Sequence, residues 1–365
     1  MGYERSSTRG RLLAAVALLA AGCSPAGGGR PVVTPASLTV RDYEPARGAA
    51  ALWASPDGTY LAAELVFAGA EVPSLIKVIE RATDRVAAHA RGSVLAGPDD
   101  RGEVLYVDTA DPAQPRLRST ARAELAVALP AAPGFARWSG FRLGKTHDLM
   151  VVLRQEAAGV TLLALQLPEG KPVATRALPG AELALLAAAV SPTDDLLYLS
   201  GKTPGAAGGG AVIALDGVLA ERWRAAWPAG HNFDQRPALG VSGDGAFVAA
   251  YAPSGLLALD ARGGTGAAVH RFYGHDPAQL AGVPGRPALV ALRSFHAQGE
   301  RPSYSIEAIE LPGGAVTKLR PEAGPMNPAA LLVIGTTVLV APGAPPRWLN
   351  DPATWGPELE GFVSR

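Results

Sequence analysis

Beyond residue 36 the chain strings together short runs rich in Val, Leu, Ala and Ile, separated by clusters of Gly, Pro, Asp and Ser, with no long helical period. This is the pattern of many short strands joined by turns. The clearest unit runs from Leu52 through Trp53, Ala54, Ser55, Pro56, Asp57, Gly58, Thr59 and Tyr60 to Ala63 and reads as a strand, a tight turn and a second strand. Pro presets φ at the second turn position, Asp bonds its own backbone, and Gly accepts φ > 0. The same sentence returns around Ser191-Pro192-Thr193-Asp194 and Ser242-Gly243-Asp244-Gly245, with weaker copies near Asp99, Lys145, Gly285 and Gly335. These seven turns lie 42 to 51 residues apart. A third strand follows at 75–79, 161–165, 212–216, 256–260 and 305–309, and a fourth at 173–178, 222–225, 267–272 and 316–319. Four strands in about 45 residues is the length of one propeller blade.

The Ser-Pro-Asp-Gly turn before an apolar strand, and later strands ending Ala214-Leu215-Asp216 and Ala258-Leu259-Asp260, resemble the repeats of TolB-type or YVTN-type bacterial β-propellers, relatives of the WD40 fold. The resemblance covers residues 37–365 and is strongest in units one, four and five. The expected fold is therefore all-β: a single β-propeller of seven four-stranded blades over residues 36–365. The last unit is short of strands, with 331–334, 338–340 and 347–349 as its candidates. Residues 37–40 precede the first unit and are expected to complete blade seven, because an unclosed ring exposes sheet edges.

The N-terminus carries a different signal. Arg5, Arg9 and Arg11 precede an apolar run over 12–21, then Gly22 and Cys23, the one cysteine of the chain. This is a secretory signal with a small-residue cleavage site. Its apolar core is about half the roughly 20 residues that span a bilayer. The stretch Ala20-Ala21-Gly22-Cys23 resembles the bacterial lipobox, with Ala20 where Leu is commoner. The resemblance implies a lipoprotein signal peptide over 1–22, lipidation of Cys23 and a membrane anchor, followed by a flexible Gly/Pro-rich tether over 23–35. Ser24 after the cysteine implies, by the same resemblance, sorting to the outer membrane, with the propeller facing the periplasm.

Composition narrows the chemistry. With 33 Lys+Arg and 33 Asp+Glu the net charge is zero, which argues against nucleic acid as a partner. One cysteine excludes an internal disulfide and a site built on several thiolates. The 43 Gly and 32 Pro suit periodic turns, and 48% hydrophobic content suits a packed core. Gly144-Lys145-Thr146 and Gly201-Lys202-Thr203 lack the upstream glycine of a P-loop. Gly240-Val241-Ser242-Gly243-Asp244 misses the nucleophile elbow at its last position. The six histidines show no metal spacing, so neither a metal nor another cofactor is expected. The tryptophans, Trp53 and Trp138 among them, are expected to fill space between blades.

One segment departs from the Ala/Leu/Gly background: His231, Asn232, Phe233, Asp234, Gln235 and Arg236, placed between units four and five. Connections between blades, and those from second to third strands, gather at one face of a propeller. That face would also receive His275, Asp276, Asn327 and a loop holding Arg293 and His296. Binding groups commonly sit on loops held by a rigid scaffold, so His231, Asn232, Asp234, Arg236, His275, Asp276, Arg293, His296 and Asn327 form the candidate binding face. The expected role is a monomeric binding or scaffold protein that presents this face to a protein, peptide or glycan. The alternative is a lactonase-like or lyase-like propeller enzyme acting at the channel mouth, which needs convergent acids, bases or ligands.

Overall fold

The computed structural model describes residues 35–342 apart from 66–73, 109–110, 112, 132–136, 145–147, 157, 204–208, 228–237, 253–254, 271–275, 296–302 and 324–327. The signal and tether lie outside the described residues, as does the candidate strand at 347–349. Strand β1 (Thr39–Asp42) comes first. Blade one is β2 (Ala49–Ala54), β3 (Tyr60–Leu65), β4 (Leu75–Glu80) and β5 (Arg85–Arg91). Blade two is β6 (Ser93–Ala96), β7 (Leu105–Asp108), β8 (Arg116–Ser119) and β9 (Val127–Ala128). Blade three is β10 (Arg137–Arg142), β11 (Leu149–Glu156), β12 (Gly159–Gln166) and β13 (Lys171–Pro179). Blade four is β14 (Ala184–Val190), β15 (Leu196–Lys202), β16 (Gly210–Asp216) and β17 (Glu221–Ala226). Blade five is β18 (Ala238–Val241), β19 (Phe247–Ala252), β20 (Gly255–Asp260) and β21 (Gly266–His270). Blade six is β22 (Asp276–Gly282), β23 (Ala288–Phe295), β24 (Ser303–Glu310) and β25 (Val316–Ala323). Blade seven holds β26 (Pro328–Ile334) and β27 (Thr337–Pro342).

The chain is a seven-bladed β-propeller, and each of the first six sheets is a four-stranded antiparallel meander in chain order. Blade seven has three strands among the described residues, in the order β1-β27-β26. Thr39 to Asp42 of β1 pair in parallel with Thr337 to Val340 of β27. All seven periodic turns of the sequence join a blade's first strand to its second.

The core lies between the blades. Among the described residues there are seven apolar clusters, one at each joint. Alternate residues of one strand serve opposite joints. Leu197 and Leu199 pack against blade three, whereas Tyr198 between them packs against blade five. A strand buried on both faces reads as a continuous apolar run, which is why period-2 alternation is weak in this sequence. Fully burying each Leu or Ile in these joints contributes roughly 1.5–3 kcal/mol. First strands come close together where glycine permits it. A Cβ at Gly140 of β10 would collide with the backbone of Leu95 in β6, and, in the turns after β18 and β22, one at Gly243 with the carbonyl of Val283.

Tryptophan packs at the joints as the sequence suggests. Trp227 is buried in the joint of blades four and five, and the Trp223 indole N–H donates to the Ala261 carbonyl at 3.0 Å. Trp53 lies against Gly97 of blade two.

Candidate functional site

The recurrent turn is a small hydrogen-bonded unit. In blade five the Ser242 hydroxyl donates to the Asp244 carboxylate at 2.6 Å and accepts the Phe247 N–H at 3.0 Å, while the same carboxylate accepts the Ala246 N–H. Blade one repeats it through Ser55, Asp57, Thr59 and Tyr60. Hydrogen bonds from Ser55 and Thr59 hold the Asp57 carboxyl down at about 2. The Ala-Leu-Asp strand ends serve the next turn. Asp216 accepts the N–H groups of Val218 and Ala220, and Asp260 those of Arg262 and Gly263. These carboxylates satisfy backbone donors that the turns leave unpaired.

The turns after first strands and after third strands share one end of the propeller, and on that turn face lies an open groove of about 710 Å³. It crosses blades three, four and five. Leu149, Leu196 and Val218 supply hydrocarbon, Asp194, Asp195 and Asp216 carboxylates, and Arg222 and Arg262 guanidinium groups. Arg222 pairs with Asp216 at 3.1 Å. The Arg262 side chain is exposed and forms no ion pair among the described residues. Val218, at the tip of the turn from β16 to β17, is 60% exposed. Mixed charge around an apolar strip, carried on braced turns, suits an extended ligand bearing both signs of charge. Asp194 and Asp216 mark the repeat along the sequence; that they meet Leu149 of blade three and Arg262 of blade five had no linear signal.

The face expected from sequence is the opposite one. His231, Asn232, Asp234, Arg236, His275, His296 and Asn327 lie outside the described residues. Asp276 opens β22, its backbone opposite Ser294. Arg293 corrects an expectation: it stands within β23 rather than in a loop, opposite Ser305. Its side chain is buried and pairs with Glu307 at 2.7 Å. The strand continues past Leu292 because β24 offers it a partner as far as Phe295. Buried charges persist when paired in this way. Among the described residues, no group of three or more His, Cys, Asp or Glu side chains is placed to hold a metal ion. No helix among them is long and apolar enough to cross a membrane.

Comparison with known proteins bears on the fold. No protein-family model matches the chain, and no curated protein matches it significantly. A solved prolyl endopeptidase structure aligns over 76% of this chain with a TM-score of 0.52 and 18% identity. The chain spans 41% of the length of that protein. The β-propeller domain of Myceliophteria thermophila Cps50 (Swd1) aligns over 67% of this chain and 79% of its own, with a TM-score of 0.48 and 13% identity.

Proposed function

We propose that this chain is a binding propeller of the bacterial cell envelope, of the TolB/YVTN type, held on a membrane through lipid at Cys23. Its turn face receives an extended protein or peptide segment in the groove of blades three to five. The observation that carries this reading is the groove itself: exposed Val218 and half-buried Leu196 flanked by both carboxylates and guanidinium groups. Such a surface offers an apolar anchor within a polar rim, the usual composition of a protein-binding patch. The carboxylates most regular along the chain are engaged in capping turns, which favours binding over acid-base chemistry. Outer-membrane attachment with the propeller in the periplasm follows from Ser24, and residues 23–35 would act as the tether.

A photo-crosslinking residue at position 218, in cells that express the full chain, tests the proposal. The expected result is a discrete protein adduct that weakens at least fivefold in an Arg222→Ala, Arg262→Ala variant with an unchanged melting temperature. Adducts from position 232, with none from 218, would move the site to the segment that the sequence singled out. No adduct from either position would remove the binding role.

A further inference from the structure

The joint between blades one and two is built differently from the rest. Among the described residues its apolar cluster is the smallest of the seven: Ala62, Ile76, Val78, Ala90, Val94 and Val104. Into the same joint β3 sends a carboxyl group, Glu64, on the face that carries Ala62. Its oxygen accepts the backbone N–H of Val94 in β6 at 3.4 Å, and the hydroxyls of Ser74 and Ser93 also donate to it. Glu64 therefore spans two blades through neutral donors.

We propose that Glu64 makes the joint of blades one and two respond to pH, closed with the carboxyl protonated and loosened when it ionises. An ionised carboxylate in this half-buried seam, with no cation paired to it among the described residues, draws in further water or separates the apolar surfaces around it. Burial raises the carboxyl to about 7, against which the three hydrogen bonds act only partly.

The surrounding charges among the described residues do not offer another explanation. On β4, Lys77 alternates with Ile76 and Val78 and so faces away from the joint. On β5, His89 and Arg91 alternate with Ala88 and Ala90 in the same way. β6 carries no charge. On β7, Tyr106 packs against the cluster with its hydroxyl pushed up, and Asp108 is paired at 3.1 Å with Arg118 of β8. The proposal does not depend on what the groove binds.

The sign follows from linkage. The closed joint holds the Glu64 proton more tightly than the open joint does, so closure is strongest below the ordinary carboxylate range. It weakens as pH rises through about 7. Hydrogen exchange of the full chain at residues 93–96, expressed as protection relative to the free-peptide rate at each pH, reads this directly. Protection of the Val94 amide should fall about tenfold between pH 6 and pH 8. In Glu64→Gln, which keeps the hydrogen-bonding shape without the charge, it should stay within about twofold. A fall that persists in Glu64→Gln, or that vanishes in His89→Gln, overturns the proposal. So does constant protection in the unsubstituted chain. Should Glu64→Gln not fold, the carbon-13 shift of the Glu64 carboxyl in the unsubstituted chain decides: a midpoint below pH 5.5 refutes the idea, and one between 6 and 8 upholds it.

Discussion

Gly245 and Gly285 occupy equivalent turns in blades five and six, with φ of 75° and 67°. Both need the left-handed region, which costs an L-residue roughly 1 kcal/mol. They differ in space: a Cβ at Gly245 would collide with the Thr193 hydroxyl of the neighbouring turn, whereas Gly285 faces nothing within 4 Å. Gly285→Ala should therefore cost about 1 kcal/mol in urea unfolding and Gly245→Ala at least twice that. Equal losses would show that the turns do not brace one another. At this scale the sequence was legible wherever bonding is local. Ser-x-Asp-Gly announces its own hydrogen bonds, because every partner lies within five residues. Arg293 was not legible, since its burial depends on Glu307 of the next strand.

Blade seven depends on an element from the other end of the chain. β1 must end where β2 begins, at the end of the propeller opposite the turn face, and β27 also runs toward that end. Parallel pairing follows from this shared direction. The segment is tied on three sides. Asp42 pairs with Arg320 of β25 at 2.7 Å, the Tyr43 N–H donates to Val340, and the Tyr43 hydroxyl donates to Asp84 of blade one at 2.9 Å. Leu38 and Tyr43 enter the cores on either side of blade seven. An exposed ion pair contributes little, so apolar burial and strand pairing carry most of this closure. Deletion through Glu44 would leave β26 and β27 as the two remaining strands of blade seven among the described residues, and a two-stranded hairpin is marginal in water. The expected outcome is loss of the single cooperative thermal transition; an unchanged melting curve would show that the ring closes without the segment.

For the molecule as a whole, attachment and folding should be separable. If lipid at Cys23 provides the anchor, Cys23→Ser should shift the protein from the membrane fraction to the soluble fraction while its melting temperature stays within about 2 °C. Continued membrane association would argue for another anchor. The propeller supports this separation physically. Its described core is divided among seven joints within residues 38–341.

The chain alone determined the repeat and the all-β class and pointed to seven units, because strand length, turn chemistry and period are local properties that each unit states again; the closed ring fixed the count. It also placed the strand boundaries of the well-marked blades close to where they lie. Only the tertiary structure decided which charged groups meet. The groove draws on Leu149, Asp194, Asp216 and Arg262 from three blades, and Glu64 reaches Val94 across a joint. Such meetings depend on the angle between successive sheets and on which face each side chain takes. Those quantities arise only once the ring is closed.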